Sequence, residues 1–173
     1  MGEANGKHGL VSGKHPIIGV SAVIYRYDRK GRLSVLLIKK EGGYWTLPKG
    51  QLKRDESELD ALEREVTEET QLRGTPGPLI HTVRYKIMKR GSLRHKQVAY
   101  YLFAAPDGAA KPSASERIER VAWFSPRAAI RRIKRRRIRT VLALAVEHLA
   151  GLREEAEQAS TTCPAPNEKP LAP

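Results

Sequence analysis

Residues 50–72, GQLKRDESELDALEREVTEETQL, constrain this chain more than any other stretch. Their period is helical. With about 100° per residue and Glu65 set at zero, Glu69 falls near 40° and Glu68 near 300°. On the same wheel Leu62, Val66 and Leu59 fall near 60°, 100° and 120°. An apolar stripe therefore runs directly beside a carboxylate stripe, whereas a freely solvated acidic face sits opposite the core side.

This placement carries penalties. Carboxylates at i, i+3 and i+4 repel by a few tenths of a kcal/mol per pair. They also occupy the last turn, where the helix dipole disfavours negative charge. A divalent cation would reverse the sign of each penalty, and hard oxygen ligands suit Mg²⁺ or Mn²⁺. A charged surface helix reads from the same residues, and spacing alone leaves both readings open.

The flanking segments indicate α+β layers rather than repeated βαβ units. Ile17–Tyr27 and Leu33–Lys39 are apolar, β-branched strands joined by the turn Asp28–Arg32. Glu41–Lys53 reads as a loop carrying three glycines and a proline. Leu79–Lys89 and Lys96–Ala105 read as a hairpin joined through GSLRH, and Glu119–Phe124 as a further strand. Ser125–Pro126 suits the start of a helix, or a pair of helices, running to about Leu152. Residues 1–15 read as a flexible N-terminus, 16–152 as the folded domain and 153–173 as a disordered tail rich in Pro, Ala, Ser and Thr. The single cysteine, Cys163, lies in that tail, so a disulfide or a cysteine zinc cage is not expected. No run approaches the roughly 18 apolar residues of a membrane span, and the N-terminus lacks the apolar core of a secretion signal. The expected compartment is the cytoplasm.

The segment resembles the Nudix box: Gly, five residues, Glu, seven residues, then Arg-Glu-apolar-any-Glu-Glu-any-Gly-apolar. Gly50, Glu56 and Arg64-Glu65-Val66-Thr67-Glu68-Glu69-Thr70-Gln71-Leu72 match it, with Gln71 standing in place of the last glycine. A glycine there suits a left-handed residue ending the helix, where Gln costs about 1 kcal/mol, unless the helix ends differently. Trp45-Thr46-Leu47-Pro48-Lys49-Gly50 is similar to the family's lead-in and Val121-Ala122-Trp123-Phe124 to its late strand, so the likeness covers about residues 17–150.

The resemblance implies an α/β/α sandwich with a mixed sheet. It implies hydrolysis of a phosphoanhydride in a nucleoside diphosphate linked to a further group, using Mg²⁺ or Mn²⁺. Glu65, Glu68 and Glu69 are the implied metal ligands, with Glu65 and Glu68 the catalytic acids and the Gly50 and Lys49 carbonyls backbone donors. Glu56 and Arg64 pair the loop to the helix. Glu119, ahead of Glu116, is the candidate for a later acid. Glu58, two turns from Glu65, reads as solvated.

For substrate, Lys49 lies beside the metal loop. Tyr85, Lys96, Tyr100 and Tyr101 resemble members that cleave dinucleoside polyphosphates or diphosphoinositol polyphosphates, by base stacking and phosphate pairing. One of Tyr100 and Tyr101 must face the core, and Tyr101 is taken as the binding residue. Trp45 and Trp123 read as core. His8, His15, His81, His95 and His148 show no ligand spacing. Oxidised nucleoside triphosphates and RNA 5′ ends are the alternative substrates; a non-catalytic nucleotide- or RNA-binding module is the alternative of another class.

Charge adds a second question. The 173 residues carry a net charge of +13, but 126–139 holds eight Arg and Lys with no acid, and without it +5 remains. Ile130, Ile133, Ile138, Val141, Leu142, Ala145 and Leu149 keep an apolar side there. The arginines then cover the outer face, either as a solvated helix or as a funnel for a polyphosphate or RNA. No aromatic residue is interleaved, which disfavours single-strand stacking.

Overall fold

The computed structural model describes residues 15–161. A seven-stranded sheet lies between one helix on one face and two on the other. Its strands are β1 (Ile17–Tyr27), β2 (Leu33–Lys40), β3 (Tyr44–Thr46), β4 (Lys49–Gln51), β5 (Thr75–Lys89), β6 (Ser92–Ala104) and β7 (Ile118–Phe124). Helix α1 is Glu58–Thr70, α2 Pro126–Arg132 and α3 Arg136–Thr161. The main path is β3-β2-β1-β6-β5, with β4 on β1 and β7 on β2. β1 and β6 run parallel and the other pairs antiparallel. The fold is therefore the expected mixed-sheet α+β sandwich.

β6 pairs along β1 from Ile17 to Tyr25. The opposite edge of β1 is shared: β4 takes Gly19–Ser21, and β2 takes Tyr25–Tyr27. The sheet splays there, and the link from β3 to β4 crosses the gap. Two hydrogen bonds pin that link, because Pro48 O accepts from Ser21 Oγ at 2.8 Å and from Ala22 N at 3.0 Å. A Cβ on Gly19 would lie 2.5 Å from the Gly50 carbonyl oxygen, so a side chain at Gly19 would push β4 away.

β1 is buried on both faces, which explains its nearly unbroken apolar run. Val20, Ala22 and Ile24 pack with Leu36, Ala61, Leu62 and Val66 beneath α1. Val23 joins Leu37, Val98 and Tyr100 beneath Ile133 and the α3 residues Ile138, Val141 and Leu142. Leu59, expected in the apolar stripe, is 46% exposed. It sits in the first turn of α1, while Leu62 and Val66, further along, reach the sheet.

Several boundaries differ from the sequence reading. The Glu41–Lys53 loop contains β3 and β4. β5 begins at Thr75, not Leu79, and tolerates Pro76 and Pro78 because it is an edge strand with register shifts there. Only Arg90 and Gly91 form the hairpin turn, both at positive φ (50° and 71°), as a two-residue primed turn demands. Ser92–His95 therefore belong to β6. Of the two forms expected for the basic segment, the pair of helices is the one present, broken where Ile133 takes extended backbone. Helix α3 continues to Thr161, so residues 153–161 are helical where a disordered tail was expected. Arg153 pairs with Glu157 one turn on, at 2.7 Å. Residues 1–14 and 162–173, including His8 and Cys163, lie outside the described residues. Among the described residues, no helix is long and apolar enough to cross a membrane.

Candidate active site

The site is built on the loop entering α1 and on the helix's sheet-facing rim. Ser57 caps the helix, accepting from Asp60 N at 3.1 Å. Just before it, Glu56 takes a two-pronged pair from Arg64: Nε to Oε1 at 2.7 Å and Nη2 to Oε2 at 2.9 Å. Lys53 N also donates to Glu56 Oε2 at 2.9 Å, and Arg64 Nη2 to Gln51 O at 3.2 Å. The Arg64 hydrogen bonds hold the Glu56 carboxyl down at about 2. The Glu56 carboxylate in turn raises the Arg64 pKa. This pair locks the loop to the helix.

The remaining fork of Arg64 reaches the motif carboxylates. Nη1 donates to Glu65 Oε1 at 2.7 Å and to Glu68 Oε2 at 2.9 Å. One cationic atom thus spans both acids. Glu65 also lies over Gly50, where a Cβ would fall 1.7 Å from its carboxylate. Glu69 points inward and is 1% exposed. Its Oε1 accepts from Lys40 Nζ at 2.5 Å and its Oε2 from Lys49 N at 2.9 Å. Burial pushes the Glu69 carboxyl above its ordinary value, against the pull of Lys40.

Among the described residues, no three acids, histidines or cysteines gather in an arrangement set to hold a metal. Glu65 and Glu68 converge on one point, while Glu69 turns toward Lys40. The donor chemistry still fits a hard divalent ion. Two carboxylates already share one cationic partner, and the missing Cβ of Gly50 lets the Glu65 carboxylate lie against the loop.

Around this rim the expected substrate residues separate. Lys49 Nζ donates to Thr46 Oγ1 at 3.3 Å. Burial, opposed by Glu69 and reinforced by Lys40, Lys96 and Arg135, brings its pKa down to about 8. Tyr85 and Lys96 are direct register partners on β5 and β6. Tyr100 is the core tyrosine, 2% exposed beneath the basic helices. Tyr101 does not join Tyr85 and Lys96. Strand alternation turns it to the α1 face, where its hydroxyl donates to Glu58 Oε2. Burial and then Glu58 push its phenol up to about 12. Glu58 therefore has a partner and is not simply solvated.

Glu119 does not reach the motif carboxylates either. It pairs with Lys39 at 2.6 Å, while the next residue, Lys40, pairs with Glu69. A bulge opposite Lys39 and Lys40 leaves Glu119 out of register. Glu116 contributes its backbone instead, accepting from Lys40 Nζ at 3.2 Å. Trp45 packs edge-on against Phe124, and Trp123 carries the guanidinium of Arg26, so both tryptophans serve packing. Sequence reasoning missed Lys40 and Gly19. A glycine inside a β-branched strand was a usable signal of close backbone approach.

A mixed-sheet sandwich with a glutamate-bearing helix docked against a glycine loop defines the class. Residues 17–144 match the NUDIX domain, and the chain belongs to the Nudix family. It is 34% identical over 104 residues to "Putative mutator protein MutT4" of Mycobacterium tuberculosis; the match spans 60% of this chain and 38% of that protein. A Caenorhabditis elegans Ap4A hydrolase in binary complex has the same fold, with TM-score 0.65 and 24% identity over 78% of this chain and 98% of that one. So does the NUDIX domain of Shewanella oneidensis NrtR, solved with ADP ribose, with TM-score 0.65 and 20% identity over 79% and 90%.

Proposed function

We propose that residues 16–152 form a hydrolase that cleaves a phosphoanhydride bond in a nucleoside diphosphate linked to a further group, with a dinucleoside polyphosphate or related polyphosphate as substrate. The observation that carries this reading is the approach of Glu65 and Glu68 to one cationic atom beside Gly50. Glu65, Glu68 and Glu69, with the Gly50 carbonyl, would hold Mg²⁺ or Mn²⁺. A bound divalent ion supplies charge neutralisation on the phosphates and lowers the pKa of a coordinated water. Arg64 keeps Glu65 and Glu68 oriented. The Glu68 side chain is 39% exposed, the most open of the three. Its Oε1, the oxygen that Arg64 does not take, is the atom we assign to receive a proton from the attacking water. Lys49 and Lys96 would meet phosphate oxygens.

The test is a panel of dinucleoside polyphosphates, nucleoside triphosphates, oxidised triphosphates, nucleoside diphosphate sugars and capped or triphosphorylated RNA, with Mg²⁺ or Mn²⁺. Turnover of at least one member is expected, together with a loss of about 10³-fold or more in Glu69→Gln. Turnover of none, with retained ligand binding, would mark a binding module instead. Glu69→Gln at the wild-type rate would remove Glu69 from the metal set.

A further inference from the structure

We propose that Arg135 and Arg137, delivered by the break between α2 and α3, hold the phosphates that extend beyond the cleaved pyrophosphate. They thereby set a preference for longer phosphate chains. This rests on the reading of α1 as the pyrophosphate site and adds the residues that select among its substrates.

The break is fixed in place. Ile133 before it and Ile138 after it are both buried, at 1% and 3% exposure, so the intervening arginines are held over the sheet. Ile138 N and Arg139 N both donate to Arg135 O, at 3.0 and 3.1 Å, starting α3 at that residue. The guanidinium of Arg137 lies 4.0 Å over the Tyr85 ring, and that of Arg135 lies 5.7 Å from Tyr44. Tyr85 is directly opposite Lys96. The ring face of Tyr85 is thus covered by an arginine; Tyr85 acts as a positioning residue for Arg137 rather than a shelf for a base.

The charges form one tract. Lys96 feels Lys89, Arg137 and Arg135 as like charges and Glu65 as an opposite one. Lys49 likewise feels Arg135 and Lys96 on one side and Glu69 on the other. The cations therefore run from the glutamate rim to the helix break. Among the described residues, none of Arg135, Arg137 and Lys96 has a carboxylate at ion-pair distance. Converging, unanswered cations next to a pyrophosphate site suit a multiply charged linear anion. Each added phosphate finds a guanidinium with paired donors. Arg127 and Arg131 belong to the same basic segment and are exposed, but the largest charge influences on Lys49 and Lys96 come from Arg135, Arg137 and nearby lysines and glutamates instead.

The test uses the full chain without metal, in EDTA, titrated calorimetrically with inorganic pyrophosphate, tripolyphosphate and tetrapolyphosphate. Wild-type affinity is expected to rise about 10-fold or more from the shortest to the longest, the equivalent of one charge-assisted contact. Arg135→Ala with Arg137→Ala should abolish most of that rise. Arg127→Ala with Arg131→Ala, an equal loss of charge, should leave it. Tyr85→Phe should keep the rise and Tyr85→Leu should weaken it. The proposal is overturned if the 135/137 pair retains the chain-length dependence or the 127/131 pair loses as much. Stronger competition by an RNA oligonucleotide than by tetrapolyphosphate would likewise overturn it, in favour of a nucleic-acid contact. With an active substrate, the 135/137 pair should raise KM for polyphosphate-linked nucleotides about 10-fold at unchanged kcat. KM for nucleoside diphosphate sugars should stay the same. If nothing is turned over, the metal-free titration still decides the role of the arginines.

Discussion

On the α1 side of the sheet every motif carboxylate has a cation. Glu56, Glu65 and Glu68 share Arg64, and Glu69 has Lys40. At the α2–α3 break the cations have aromatic rings for partners, Tyr85 for Arg137, Tyr44 for Arg135 and Phe124 for Arg132, and no carboxylate among the described residues. Both regions concentrate one sign of charge, yet only one answers it internally. The paired side is a frame: its hydrogen bonds fix where oxygens sit before any ligand arrives, so little reorganisation remains for binding. The unpaired side raises the energy of the folded chain by self-repulsion. On the role proposed for these arginines, an anion arriving from outside would relieve that repulsion. The difference would then separate residues that hold the site's shape from those proposed to recruit its ligand.

Among the variants that test this contrast, Gly50→Ala should have the largest effect. The atoms nearest the added methyl belong to the Glu65 carboxylate, the free end of a flexible side chain. Glu65 can swing away, so melting temperature should change little while turnover falls about 10²-fold or more through lost alignment. Retained turnover would show that the Glu65 position is not used. Arg64→Ala comes next. It strips three carboxylates of their shared partner and should cost about 2–3 kcal/mol in urea unfolding. Arg64→Lys should not restore it, because an ammonium cannot make the two-pronged pair to Glu56. An Arg64→Ala protein as stable as wild type would break the contrast between the two faces.

Glu56 gives the same frame a pH signature. Its carboxyl sits at about 2 in the fold against an ordinary 4.5. A depressed carboxylate pKa contributes stability that is complete above the unfolded value and lost as pH falls through the folded one. The melting temperature of Glu56→Gln should therefore lie below that of wild type at neutral pH. The gap should close as pH drops from about 4.5 toward about 2. A constant gap across that window would mean that Glu56 acts through packing and not through charge.

Much of the frame was legible because it is local. Helical period placed the three carboxylates on one rim, and the motif spacing linked Gly50, Glu56 and Arg64. The αL ending was one of two readings left open. Gln71 does adopt φ 58° and ψ 15°, its N–H reaching Thr67 O at 2.9 Å, so the chain accepts the strain instead of ending α1 differently. What escaped the sequence depends on register between distant strands. Lys40 meets Glu69 only because β2 runs beside the α1 rim, and a bulge leaves Glu119 on Lys39 while the Glu116 backbone carbonyl reaches Lys40. Alternation required one of Tyr100 and Tyr101 to be core, but which one depends on which face α3 covers. The cover over Tyr85 comes from Arg137 on a different element. The helical run through residues 153–161 was masked by tail-like composition, although its Glu, Ala and Gln residues are good helix formers.

The smallest effect is the sharpest test of the comparison. Arg135→Ala removes as much charge as Arg64→Ala but breaks no ion pair. Its unfolding free energy in urea should stay within about 0.5 kcal/mol of wild type or rise slightly. The sign of the salt dependence should follow the same division. Raising ionic strength shortens the Debye length from about 10 Å at 0.1 M to about 3 Å at 1 M, which screens exposed like charges more than part-buried pairs. Added salt should therefore stabilise the wild type, and stabilise it less once Arg135 and Arg137 are both alanine. If the double variant gains as much from salt as wild type does, the repulsion lies elsewhere on the +13 surface. If salt instead destabilises the wild type, attractive surface pairs outweigh the repulsion, and the break would not be the strained half of the molecule.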